Sequence, residues 1–377
     1  MAAKAEDRTR GFEIRAILQA DYVQDFRRVD PLWKDTLRPS TIPTQAGQFG
    51  SDGQAILGVR PSNFGVKGWL PLEGKTLKTD FNFDLFGQGD QAGRTTLNLQ
   101  HAYGEWGSWL AGQTDSLFMD GDVFPDVLNY WGPPGIVFMR NPQIRWTPIQ
   151  AETSLAIGLE LPVTDIDPGE IRQVDPAFGK RIQSDEKLPD LTVRLRRNAP
   201  WGHLQLSAIL RRIGYETLGS AESVPRGYQV GWGFDLGMSY KTGRAGLLTL
   251  AAVFGRGISS YINDGGTDLA PDGESASLRA KAVPIFGWAA FYDLRWSERW
   301  SSCLGYSRTQ VENARYQEAK AYFRGDYASV NLVYKANQNF MTGVELLWGG
   351  LTDRGLSHGE DLRAQLSFRY TLKVENP

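Results

Sequence analysis

Between Phe286 and Trp296 apolar and polar positions alternate: Phe286, Trp288, Ala290, Tyr292, Leu294 and Trp296 take every second place, with Gly287, Asp293 and Arg295 among those between. A period of two puts each set on its own face of an extended strand, whereas a helix would mix them on every face. The pattern recurs near the start, where Phe12, Ile14, Ala16, Leu18, Ala20 and Tyr22 alternate with Glu13, Arg15, Gln19 and Asp21. Leu77 to Leu85 repeats it against Lys78, Asp80, Asn82 and Asp84, and Leu191, Val193 and Leu195 oppose Arg194 and Arg196. Trp232 to Tyr240 opposes Asp235 and Ser239, Ala328 to Tyr334 opposes Ser329, Asn331 and Lys335, and Leu362 to Tyr370 opposes Arg363, Gln365 and Arg369.

Segments of this kind predict strands near 11–26, 53–70, 75–86, 95–106, 108–115, 142–148, 153–161, 190–197, 203–212, 230–241, 246–256, 285–297, 300–310, 323–335, 340–349 and 361–372. Pro61 lies inside the second and can split it into two short strands. Several apolar faces begin and end on an aromatic ring, as in Trp288 to Trp296 and Trp232 to Tyr240. At ~3.3 Å per residue and a tilt near 45°, eight residues project to roughly 19 Å, close to the ~25 Å apolar band between the aromatic girdles of a membrane barrel. Tight connections at 241–244 and 297–299 alternate with long polar ones at 27–52, 116–141, 162–189 and 257–284. Short turns at one rim, long loops at the other and an even strand count describe an all-β, closed transmembrane antiparallel β-barrel of about 16 strands. The expected organisation is an N-terminal extension over 1–10, the barrel over 11–372 and a short tail over 373–377.

Composition changes this picture little. No run of 18 apolar residues offers a membrane helix. The 42 Gly, 12 Trp, 14 Tyr and 18 Phe supply the turn residues and amphipathic rings that a barrel uses. With 41 Lys and Arg against 43 Asp and Glu, a nucleic-acid partner is not expected. The one cysteine, Cys303, cannot form an internal disulfide, and His101, His203 and His358 lack metal-ligand spacing, so neither metal nor cofactor is expected. Met1 to Arg10 carries no apolar stretch of a secretory leader.

Other classes fit less well. Soluble sandwiches also alternate, but their outer faces do not pair aromatic borders with a polar, glycine-containing opposite face. Asp120 to Asp126 has carboxylates at calcium-like spacing, yet Trp131 stands where an EF-hand loop needs Glu, so a solvated loop is expected there and a flexible external loop at Asp264–Asp268. A barrel hydrolase would need a serine beside His101 or His203, and neither lies in a serine motif. A non-conducting adhesion or scaffold barrel is the second alternative.

The run Leu97-Asn98-Leu99-Gln100-His101-Ala102-Tyr103-Gly104-Glu105-Trp106-Gly107, continued by Leu110 to Thr114 and Phe118-Met119-Asp120, resembles the DcaP-like family of trimeric outer-membrane porins. Arg38 to Thr44, Gly132 to Gly135 with Arg140 to Arg145, and Phe323 to Asn331 agree with it. The resemblance implies 16 strands, three barrels per assembly, an inward-folded constriction loop within 115–141 and a preference for small anions such as dicarboxylates. Asp115, where Trp is common in the family, and an end that lacks the usual terminal aromatic residue depart from the pattern.

The expected function is therefore passive, not enzymatic: diffusion of small hydrophilic solutes, preferably anionic, through a homotrimer embedded in outer-membrane lipid. Selectivity would come from charge and a narrowed diameter. Arg145 alternates with Ile144 and Trp146 and so points inward, while Arg140 and Arg60 lie in the segments resembling the constriction and its wall. These three are the first candidates for contacting an anion. Arg15, Arg194, Arg196, Arg295 and Arg363 are also expected in the lumen, because an arginine facing lipid near the midplane costs ~2–4 kcal/mol. Asp80, Asp84, Asp235, Asp293 and Glu345 face the same way and would form structural lumen networks with many of these charges.

Overall fold

A computed structural model describes residues 10–174, 176–273 and 279–376, so most of the N-terminal extension lies outside the described residues. Sixteen strands form the wall. They are β1 (Gly11–Asp25), β2 (Gln54–Gly58 continued by Asn63–Leu72), β3 (Lys75–Phe86), β4 (Thr95–Trp106), β5 (Trp109–Asp115), β6 (Arg140–Ile149), β7 (Thr153–Glu160) and β8 (Asp190–Ala199). The second half comprises β9 (Gly202–Thr217), β10 (Gly227–Thr242), β11 (Gly246–Arg256), β12 (Pro284–Arg295), β13 (Trp300–Val311), β14 (Tyr322–Asn337), β15 (Phe340–Asp353) and β16 (His358–Asn376). Each pairs antiparallel with its sequence neighbour, and β16 returns to β1 from Phe12↔Asn376 to Asp25↔Arg363, which closes the barrel and leaves no edge. That pairing also carries the last strand to Asn376, past the boundary expected at 372. The break in β2 falls at 59–62, around Pro61.

Alternation sets the two faces. Leu18, Phe81, Ile144, Leu206, Phe286 and Val344 point outward and are exposed, while Gln19, Asp84, Gln143, Gln205, Ser307 and Gln365 point inward and are buried. At one end the strands are joined by tight turns; Glu73 and Gly74 both have positive φ (49° and 75°), the twist a two-residue hairpin requires. At the other end are the long connections, and the one after β5, residues 116–139, folds into the barrel instead of outward.

That loop divides the lumen. Its Phe118, Val123, Ile136 and Val137 pack against inward side chains Ile209, Val253, Ile285, Ala289, Phe291, Tyr327 and Leu347, with Tyr261 and Ile262 from the β11–β12 connection joining them. The inward face is therefore not polar throughout: from β9 to β15 it carries a hydrophobic core, because covered wall excludes water and favours apolar side chains. The loops are also less solvated than their acidic sequences suggest. Asp264, expected in a flexible external loop, is buried and accepts from Ser40 N at 2.8 Å and Arg38 Nη2 at 2.8 Å. Asp268 is likewise buried, accepting from Ser260 N and Asp165 N. Buried carboxylates persist only when donors and cations satisfy them, and here both do.

Candidate functional site

On the opposite side, the loop stands away from β1–β5 and leaves a cavity of about 470 Å³. Its barrel wall presents Glu13, Arg15, Lys67, Asp80, Asp84, Gln100, His101 and Asp115, and Arg140 enters from the start of β6. Its loop wall presents Met119, Phe124, Tyr130, Trp131 and Phe138. Gly65 on this wall leaves room for the Asn82 side chain, whose Nδ2 would lie 2.5 Å from an added Cβ.

Each carboxylate on this wall has a partner. Glu13 meets Lys373 at 2.9 Å, Asp80 meets Lys67 at 3.7 Å and Asp115 meets Arg140 Nε at 2.8 Å. Asp84 accepts from Gln100 Nε2 at 2.7 Å, from Asn98 Nδ2 at 3.2 Å and from the Tyr130 hydroxyl. Burial, then the Asp84 carboxylate, hold the Tyr130 phenol protonated well above its ordinary range. By contrast the Arg15 side chain has neither a hydrogen bond nor an ion pair among the described residues. Its charge is open to whatever enters.

The eight arginines singled out in the sequence separate into distinct environments. Arg15 and Arg140 line the cavity, and Arg140 also contacts Gln100 and lies 4.6 Å over the Phe138 ring. Arg145 points inward but spends its guanidinium on Gln143 Oε1 (2.8 and 3.1 Å) and the Asp115 carbonyl (2.7 Å). Arg194 stands opposite Ala156 and Arg145 opposite Gly158, and the Leu117 and Thr192 side chains pack over that glycine. The buried Arg194 Nε has no hydrogen-bond partner. Arg196 pairs with Asp120 at 3.3 Å and with Asp122. Arg295 is exposed at the short-turn mouth, in a second cavity of about 770 Å³ lined also by Lys241, Arg244, Arg299 and Lys335 against Asp126, Asp293 and Glu298.

Arg60 and Arg363 do not reach the water path. Arg60, 3% exposed, is held by Asp35 at 2.7 Å and the Gly87 carbonyl at 3.0 Å, with its guanidinium 3.8 Å over Phe86. Arg363, 1% exposed, bridges Asp361 at 2.6 Å and Asp25 at 3.1 Å and donates to the carbonyls of Lys34 and Thr36. Both brace the first long loop against the wall, a role that an inward-pointing position alone does not distinguish from solute contact. Among the acids, Glu345 anchors the constriction loop by accepting from Asn129 N at 2.7 Å and Leu128 N at 2.9 Å. Asp235 is buried beneath the same loop.

Asp120, expected in a solvated stretch, is buried at the far wall, where His203 Nε2 meets its Oδ2 at 2.7 Å and His203 Nδ1 meets Ser239 Oγ at 2.7 Å. A side chain at Gly237 would collide with Asp120, so the bare position lets the loop approach. This chain of three has the residue types of a hydrolytic triad, and the sequence did not place Ser239 there. Yet all three are buried and neither Ser239 nor His203 lines either large cavity, so the arrangement fastens the loop. Asp120, Asp122 and His203 also offer three potential metal-ligand atoms within 4.8 Å of one another, and the Arg196 guanidinium already occupies both carboxylates as their ion-pair partner. Sequence reasoning missed the aromatic loop wall and Lys67; single aromatic residues in a loop carry no periodic signal.

The family model described as DcaP outer membrane protein matches residues 41–262, more than half of the 377-residue chain. Among curated proteins no sequence matches. The fold superimposes on the outer membrane channel DcaP of Acinetobacter baumannii with a TM-score of 0.81 at 18% identity, covering 97% of this chain and 98% of that one. It is also similar to an anion-selective porin from Comamonas acidovorans (TM-score 0.59, 9% identity, 96% and 100% covered). OmpT, an outer membrane protein of Vibrio cholerae, gives a TM-score of 0.57 at 10% identity, with 98% and 99% covered. The closed barrel with its exposed apolar outer face, the constricted water path and these likenesses agree: the chain is a bacterial outer-membrane channel and belongs to the DcaP outer membrane protein family.

Proposed function

We propose that each subunit passes small hydrophilic solutes by passive diffusion, with a preference for anions of dicarboxylate type, and that three subunits assemble in the membrane with their outward faces against outer-membrane lipid. The observation that carries the anion preference is the asymmetry of the cavity between β1–β5 and the constriction loop. Its four carboxylates are all partnered, while among the described residues the Arg15 side chain is not and Arg140 Nη2 makes no hydrogen bond. Arg194 and Arg145 on the far wall and the basic short-turn mouth extend a path of cations along the pore. Unpaired guanidiniums in a narrow, partly dehydrated passage raise the local concentration of anions and lower their transfer cost. The solved relative from Comamonas is described as anion-selective and the Vibrio OmpT is described in a trimer form, which supports the same reading.

The purified protein in a planar bilayer under a KCl gradient is expected to open in steps grouped in threes, with a reversal potential of anion-selective sign. A cation-selective reversal potential would overturn the arginine argument. Absence of current from folded, inserted protein would favour a scaffold barrel. The hydrolytic alternative is disfavoured by the burial of Ser239, and labelling of Ser239 by a serine-reactive probe is the result that would restore it.

A further inference from the structure

The cavity between β1–β5 and the constriction loop is two-sided in chemistry as well as in charge. The barrel wall is charged and amide-rich, while the loop wall facing it is aromatic. Phe124 and Phe138 lie with ring centroids 5.2 Å apart and are half-buried. Behind them Phe118, Val123, Ile136 and Val137 are fully buried in the loop's core, so the two rings rest on a rigid apolar backing and turn their remaining surface to the cavity. Tyr130 and Trp131 continue the ledge, with Tyr130 stacked on Phe86 at 4.1 Å. Water gains no hydrogen bonds from such a ledge, and a polar dianion gains none either.

The two sides meet at Arg140, whose guanidinium lies 4.6 Å over the Phe138 ring and donates through Nε to Asp115 and through Nη1 to Gln100, while its Nη2 makes no hydrogen bond among the described residues. Arg15 lines the same space. A solute with a flat apolar body and one carboxylate could therefore rest its ring on Phe124 and Phe138 and give its carboxylate to Arg140 or Arg15, using surface that acetate and succinate leave uncovered. A volume of about 470 Å³ accommodates such a molecule with water around it.

We infer that the constriction selectively binds small aromatic monocarboxylates through this aromatic ledge and the adjoining arginines. The inference rests on the reading of the pore as an anion channel, and it adds a substrate class that charge alone does not supply. Covering one face of a ring is expected to improve binding about tenfold over a carboxylate without one.

The test uses single channels in planar bilayers, with benzoate, acetate, succinate and the uncharged benzyl alcohol added to KCl, and reads the fraction of each protein's own open current that is blocked. Benzoate is expected to half-block at about tenfold lower concentration than acetate or succinate, and benzyl alcohol to block weakly. Phe124→Ala and Phe138→Ala are expected to bring benzoate to the acetate level. Equal block by benzoate and acetate, with an anion-selective reversal potential, would overturn the ledge and leave the anion channel standing. Block by benzyl alcohol as strong as by benzoate would remove the arginines from the site. A cation-selective reversal potential would sink the anion reading and this inference with it. The wild-type solute series decides these outcomes even if a variant fails to fold.

Discussion

Two halves of one lumen wall, built by strands of the same period, have become different materials. From β1 to β5 the inward residues include Arg15, Lys67, Asp80 and Asn82, which face water in the cavity. From β9 to β15 they include Ile209, Val253, Ile285, Phe291, Tyr327 and Leu347, and they face the constriction loop. The cause is the side on which the loop docks. Covered wall favours apolar surface or paired charge, because an unpaired polar group there loses its hydration with little return. Open wall can leave a charge unpaired at little cost, and that freedom lets it act on a solute.

Arg363 and Arg15 are the sharpest pair on which to break this comparison. Both are single inward arginines near the seam where β16 meets β1. Arg363→Ala would leave Asp25 and Asp361 facing each other in a dry site, and a destabilisation of about 3–5 kcal/mol is expected. Urea titration of the protein folded in lipid vesicles, followed by tryptophan fluorescence, would measure it. A loss below about 1 kcal/mol would mean that the covered wall is hydrated after all.

The next effect belongs to the apolar contact itself. Phe118 is fully buried and sits edge-on to Tyr261 at 6.0 Å, inside the core that joins loop to wall. Phe118→Ala is expected to cost about 3 kcal/mol and to give noisier, larger open-channel currents as the loop loosens. A quiet channel of unchanged conductance would show that the polar anchors alone hold the loop.

Those anchors are tested by Ser239→Ala, which removes the partner of His203 Nδ1 while leaving the His203 to Asp120 contact in place. About 1 kcal/mol is expected from the lost buried hydrogen bond, with no change in ion selectivity, since neither residue lines the water path. A shifted reversal potential would place this chain in the pore.

The wall was readable from the sequence because period-two alternation is local: all sixteen strands stand where Phe12 to Tyr22, Trp288 to Trp296 and their counterparts place them, including the interruption at Pro61. The division of the lumen was not readable, because it depends on contacts between residues far apart in the chain. Nothing near Arg363 announces that the carbonyls of Lys34 and Thr36 will meet it, and nothing near Arg15 announces that none will. Likewise Asp120 and Asp264 sit in Gly- and Asp-rich stretches that read as solvated, and only the wall and loops packed around them make them buried acceptors. Alternation assigns a residue to the inner face; the loop decides whether that face is pore or core.

The smallest expected change in stability carries the largest expected change in function. The Arg15 side chain has no hydrogen bond or ion pair to lose among the described residues, so Arg15→Ala should alter stability by no more than about 0.5 kcal/mol. It also leaves the four carboxylates of the cavity with their own partners, so no new unpaired acid is created to attract cations by rearrangement. What disappears is one open positive charge beside a constricted water path, and the reversal potential under a KCl gradient should move toward zero. Arg15→Lys, which keeps the charge on a shorter and more strongly hydrated head group, should retain most of the anion preference. If Arg15→Ala leaves the potential where it was, the selectivity lies deeper, at Arg194 and Arg145, and the same measurement on Arg194→Ala decides that by an equivalent shift, because the buried Arg194 Nε has no hydrogen-bond partner among the described residues.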